Sequence, residues 1–119
     1  MSALGRHLLA EFTGCDAAPL ADLERVTSAM LQAAEASGAT IVTHSFHHFS
    51  PHGVSGAVII AESHLAIHTW PEHGFAAVDF FSCVDVNMDR GLALLKAAFG
   101  AAAETRLVIE RGPLRTVSP

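Results

Sequence analysis

"AVIIAESHLAIHTWPEHGFAAVDFFSC", residues 57–83, is the stretch whose reading decides how this chain folds. Its first half is apolar and β-branched, as in a buried strand, yet residues 57–70 are too many for one plain strand. "PEHG" (71–74) reads as a turn, and "FAAVDFFSC" (75–83) reads as the returning arm of a hairpin. Inside the apolar run stand Glu62, Ser63 and His64. Ionisable and hydroxyl groups are costly in a core strand, so their presence asks for a chemical reason.

Outward from this hairpin the elements follow from periodicity. "ATIVTHSFHHF" (39–49) is β-branched and predicts a strand, with "SPHGVSG" (50–56) as a loop behind it. "CDAAPLADLERVTSAMLQAAEASG" (15–38) places Leu20, Leu23, Val26, Met30 and Ala34 near helical spacing. Asp16 and Pro19 suit the start of that helix and Gly38 its end. "LGRHLLAEFTG" (4–14) alternates Leu8, Ala10 and Phe12 against His7, Leu9 and Glu11, a strand pattern. "DVNMDRGLALLKAAFG" (85–100) predicts a second helix with Leu92, Leu95 and Phe99 on one side. "ETRLVIERG" (104–112) alternates as a last strand, and "PLRTVSP" (113–119) is a tail. The order β-α-β-β-β-α-β predicts an α+β two-layer sandwich, a mostly antiparallel sheet with two helices packed on one face.

A chain of 119 residues has room for a single domain, residues 1–119. Half of it is hydrophobic and 16% is charged, which suits a packed core rather than disorder. The net charge is −5 and the seven basic residues form no run, which argues against nucleic acid or an anionic membrane as partner. No apolar stretch approaches the ~20 residues of a membrane span, and no signal-peptide pattern opens the chain. A cytoplasmic protein is expected, with Cys15 and Cys83 as free thiols. So apolar a small domain is also expected to cover itself by homo-oligomerisation.

Three chemistries fit the polar residues. The cluster His44, His47, His48 and His52 has the ligand type of a metal site. Its spacing matches no ligand motif, and His47 alternates away from His44 and His48, so no metal is expected there. Ser63, His68 and Asp79 or Glu72 supply the residues of a hydrolase triad, but no G-x-S-x-G elbow is present. In the third, the Ser63 hydroxyl attacks the preceding carbonyl and turns the Glu62–Ser63 amide into an ester. Elimination of that ester and hydrolysis would leave a pyruvoyl group.

The segment from Gly53 to Cys83, "GVSGAVIIAESHLAIHTWPEHGFAAVDFFSC", closely resembles the core of the prokaryotic S-adenosylmethionine decarboxylase proenzymes. "LGRHLLAEFTGCD" and "ASGATIV" resemble the same family, so the likeness runs from Leu4 to about Phe99. The resemblance implies self-cleavage between Glu62 and Ser63 into a β chain, 1–62, and an α chain, 63–119, that begins with a pyruvoyl group made from Ser63. It implies His68 as the processing histidine, Ser55 as its assistant, and Cys83 as the catalytic acid. It further implies a Schiff base between the pyruvoyl group and the substrate amine, with neither metal nor pyridoxal phosphate. Phe49 and the His68 ring would stack on adenine, Glu72 would accept from the ribose, and Trp70 would line the pocket. The site would lie between two protomers, in a dimer of αβ units that serves spermidine synthesis.

Relatives with the same pyruvoyl core resemble arginine or ornithine decarboxylases, so those substrates stand as alternatives. A departure from the pattern is Val84, where the family usually has glycine after the cysteine. A β-branched residue disfavours the positive φ that glycine permits, so the turn carrying Cys83 is expected to differ. Val84 also supports a further alternative, an uncleaved, non-catalytic partner of an active enzyme.

Overall fold

A computed structural model describes residues 4–112; the expected tail, 113–119, lies outside the described residues. Six strands form one antiparallel sheet: β1 (Gly5–Thr13), β2 (Thr40–His48), β3 (Val54–Ala61), β4 (Ser63–Trp70), β5 (Phe75–Ser82) and β6 (Ala103–Arg111). Their spatial order is β2-β3-β4-β5-β1-β6. The helices are α1 (Ala17–Leu20), α2 (Leu23–Ala36) and α3 (Met88–Phe99), and a 3₁₀ turn spans Pro71–His73. The α+β sandwich expected from periodicity is the observed fold, with one strand more: β-α-β-β-β-β-α-β.

The extra strand comes from the long run at 57–70, which folds on itself. Ile60 pairs with Ser63, so the turn is made by Ala61, the last residue of β3, and Glu62. The polar triplet therefore marks a hairpin turn rather than a break within one strand. A second difference lies in the first helix, which divides in two. Asp22 accepts from the backbone N–H groups of Glu24 and Arg25, a cap that starts α2 anew after the short α1. Asn87 caps α3 likewise, through the N–H of Arg90.

Alternation along each strand sends one set of side chains to the helices. Leu8, Ala10 and Phe12 of β1, Leu65 and Ile67 of β4, and Val78 and Phe80 of β5 are buried there. Val26, Met30 and Ala34 of α2 and Leu92, Leu95 and Phe99 of α3 meet them in a single core. Among the described residues no helix covers the opposite face of the sheet. It presents Ile59, Leu107, Ile109 and Trp70, all substantially exposed, together with His7, His64 and Asp79.

Thr69 ties the far end of β4 to the rest. Its buried hydroxyl accepts from the Val54 N–H and donates to the Leu20 carbonyl, each at 2.8 Å. Beside it the backbone of Gly53 passes so close that a Cβ would lie 2.3 Å from the Thr69 carbonyl oxygen, which leaves glycine alone able to stand there. No helix among the described residues is long and apolar enough to cross a membrane.

Candidate active site

The candidate residues fall at the two ends of β4. At its start, the β4–β5 ladder sets Ser63 opposite Ser82. Cys83 follows immediately, and its Sγ lies 3.4 Å from the Ser63 Oγ. The backbone N–H of Cys83 donates to the carbonyl oxygen of Glu62 at 3.3 Å. Ser63 itself has a φ of +130°, the one positive φ on a non-glycine residue among those described. That conformation costs on the order of 1–3 kcal/mol for a residue with a Cβ. Hydroxyl, thiol, polarised carbonyl and backbone strain therefore meet at the Glu62–Ser63 bond.

Val84 is exposed and stays out of the positive-φ region. The turn around Cys83 is closed instead by Ser82, whose buried hydroxyl donates to the Val84 carbonyl at 2.8 Å and accepts from the Val84 N–H at 3.1 Å. The glycine that the resemblance led one to expect is not needed by this turn. A shallow cleft of about 200 Å³ opens beside Cys83, against Arg6 and Glu110.

At the other end of β4, Ser55 pairs with His68, and the Ser55 hydroxyl lies 2.8 Å from His68 Nδ1. Both line a cleft of about 300 Å³ with Phe49, Trp70 and Glu72. Phe49 and Trp70 are 52% and 39% exposed, so neither is a core residue. Five steps along the extended strand separate Ser63 from His68, about 16 Å at the usual rise. The chain thus gathers Ser63 with Cys83, and Ser55 with His68, Phe49, Trp70 and Glu72, but does not bring the two groups together.

The hydrolase triad does not form. Asp79 Oδ2 is bonded by His64 Nε2 at 2.7 Å and by His7 Nε2 at 2.8 Å, whereas His68 turns to Ser55. His7, His64 and Asp79 form a partly buried cluster that strand alternation alone did not reveal, since it requires β1, β4 and β5 side by side. Its atoms lie within 4.8 Å of one another, close enough for a metal ion. The proton arrangement argues otherwise. Arg111, always a donor, faces His7 Nδ1 at 2.8 Å, which leaves the proton of neutral His7 on Nε2, directed at Asp79. A cation would displace that proton and meet the guanidinium's charge as well. His44, His47, His48 and His52, which the sequence brings near one another, form no such group among the described residues; His48 bonds the His52 carbonyl.

A larger hollow of about 480 Å³ lies near Arg6, Asp85, Asn87 and Arg106, and the Ser37 hydroxyl on its wall is turned to the Ala33 carbonyl. Arg106 there is held by Glu104 and Asp89, and the bond to Glu104 raises the guanidinium's pKa further. Cys15, half buried, has its pKa raised by burial first and by Asp16 second.

The class defined by the structure is an α+β sandwich in which a hydroxyl and a thiol meet at a hairpin turn. The sequence profile described as S-adenosylmethionine decarboxylase matches residues 6–112, and the chain belongs to that family. A curated S-adenosylmethionine decarboxylase proenzyme from Acidithiobacillus ferrooxidans is 55% identical over 94% of this chain and 85% of its own. One from Thermotoga maritima is 51% identical over 94% of this chain and 87% of its own. The crystal structure of the adenosylmethionine decarboxylase from Aquifex aeolicus VF5 superposes with a TM-score of 0.89 at 32% identity, covering 100% of this chain and 99% of that one.

Proposed function

We propose that this chain is the precursor of an S-adenosylmethionine decarboxylase and makes its own pyruvoyl group by cleavage between Glu62 and Ser63. The observation that carries the reading is the Ser63 end of β4, where the Glu62 carbonyl already accepts the Cys83 N–H beside the Ser63 hydroxyl. The Ser63 Oγ adds to the Glu62 carbonyl carbon, and the Cys83 N–H stabilises the charge growing on its oxygen. The C–N bond then breaks, leaving an ester and a free amine on Ser63. Loss of the Ser63 α-proton and departure of the Glu62 carboxylate leave dehydroalanine. Water replaces its nitrogen as ammonia, and a pyruvoyl group remains on the new chain end. The strain at Ser63 favours this sequence because cleavage releases it.

The surroundings fit such a group: position 63 is half buried at a sheet end, and the exposed Cys83 thiol is next to it. Once present, a pyruvoyl ketone supplies an electron sink for the carbanion left by decarboxylation. Cys83 Sγ returns a proton to the substrate's α-carbon. Phe49 and Trp70 offer rings to adenine and to the sulfonium cation, and Glu72 offers a carboxylate to the ribose hydroxyls. His68, held by Ser55, moves protons during processing.

The two ends of β4 cannot serve one substrate within a protomer, so the reading includes a dimer in which the partner's cleft faces Ser63. The bare sheet face with Ile59, Leu107, Ile109 and Trp70 supports this. A cytoplasmic setting, in which thiols stay reduced, suits Cys83 as acid. Arginine or ornithine as substrate, and the uncleaved regulatory partner, gain no observation of their own, since Ser82 accounts for the turn at Val84.

Intact mass under denaturing conditions tests the reading. Two fragments that divide at Glu62–Ser63, the second carrying pyruvoyl in place of serine, are expected from the native chain and a single species from Ser63→Ala. One whole chain from both, after long incubation, would sink it.

A further inference from the structure

Resting on that reading and going one step beyond it, we infer that Ser82 is the positioning residue of the reaction, setting the aim of Cys83 through a closed turn. Ser82 is 3% exposed and sits where two ladders meet, opposite Ser63 on one side and Arg6 on the other. It is therefore fixed by the sheet. Its hydroxyl then reaches over Cys83 to bond both the carbonyl and the N–H of Val84. These two bonds close a ring whose one free member is Cys83.

The consequence is directional. With Val84 held back against Ser82, the Cys83 N–H is left facing the Glu62 carbonyl and the thiol is left facing the Ser63 hydroxyl. A serine hydroxyl can donate and accept at once, which this turn demands; alanine or valine can do neither. Gly5 packs under the same point, since a Cβ there would lie 3.3 Å from the Ser82 carbonyl oxygen and closer still to the Phe81 ring. The backbone of Ser82 is thus supported from below, and its side chain controls the path of the chain through Cys83 and Val84. Ser82 touches no reacting atom. It acts on processing through the Cys83 N–H and on turnover through the Cys83 thiol.

Threonine and valine have the same shape, so Ser82→Thr and Ser82→Val isolate the hydroxyl, with Ser82→Ala as the smaller variant in case the valine protein does not fold. Three quantities are compared: the rate of self-cleavage by intact mass, the thermal midpoint, and the number of turnovers before inactivation. The last is read from α chains whose end has kept the substrate's nitrogen as alanine. A misaimed thiol lets the proton go to the wrong carbon, whereas a merely loosened fold does not change that ratio. The expected result is cleavage slowed about tenfold in the valine and alanine proteins, what losing a pair of hydrogen bonds costs. Inactivation per turnover should rise by a similar factor, and threonine should restore both. Equal cleavage and equal inactivation in threonine and valine proteins, with the native chain cleaving normally, would overturn the role of Ser82 alone. A native chain that never cleaves would overturn the processing reading and the role of Ser82 with it.

Discussion

The two ends of β4 are built on opposite principles. At Ser63 the chain turns tightly at Ala61 and Glu62, the backbone is strained, and the Ser63 hydroxyl and Glu62 carbonyl face the thiol and amide of Cys83. At His68 the backbone is relaxed and pinned by Thr69, and the side chains of Phe49, Trp70 and Glu72 stand open to solvent around a cleft. On the proposed reading, the first end is arranged to react with itself, and the second to receive something else. Strain stored where a bond would break, and open space where a ligand would enter, are different uses of the same strand.

The strongest way to break this contrast is to ask whether the ends act in one chain or two. Ser63→Ala and His68→Ala chains, each alone, are expected to stay whole. Coexpressed, the His68→Ala chains should cleave, because a Ser63→Ala partner brings an intact His68 to their Ser63. Fragments from the mixed protein on a denaturing gel check it, and persistently whole chains would place both residues' action within one protomer.

A smaller effect sharpens the comparison by loosening each end in turn. Asp79→Asn takes from His64, the residue after Ser63, a carboxylate it shares with His7. A loss of about 2 kcal/mol is expected, lowering the thermal midpoint by roughly 10 °C. Thr69→Val leaves the Val54 N–H and the Leu20 carbonyl without their partner and should cost about as much, by the same measurement.

The smallest effect concerns the thiols. Cys83 is exposed, while Cys15 is half buried and its pKa is raised by burial and by Asp16. A raised pKa leaves less thiolate at neutral pH, so Cys15 should lag Cys83 in alkylation by about tenfold at pH 7. The lag should narrow as the solution is made more alkaline. Adduct masses against pH would reveal it, and simultaneous labelling at pH 7 would contradict it.

Much of this was legible in the residues. Leu8, Ala10 and Phe12 alternate, and Val26, Met30 and Ala34 recur at helical spacing, because burial imposes those periods; all six are buried. The hairpin at 61–62 was not legible, since Ala-Glu has none of the glycine, asparagine or proline that usually mark a two-residue turn. Ser63 and Cys83 were singled out by resemblance, but their contact depends on β4–β5 register, which no local signal carries. The His7–Asp79–His64 cluster was hidden for a stronger reason. It exists only because the first strand of the chain inserts beside the fifth, a pairing some seventy residues apart.

That insertion has a consequence for the matured molecule. Cleavage after Glu62 would place β1, β2 and β3 in one chain and β4, β5 and β6 in the other. In the order β2-β3-β4-β5-β1-β6, the first chain's β1 is gripped between two strands of the second. The fragments would therefore be laced together and would separate only if three ladders opened at once. Folding, for the precursor, is an event within one molecule; for the mature protein, reassembly after full unfolding becomes an encounter between two, and its yield falls with dilution. Maturation would thus work as a ratchet: the fold is reached easily once, as a single chain, and is afterwards kept rather than found again.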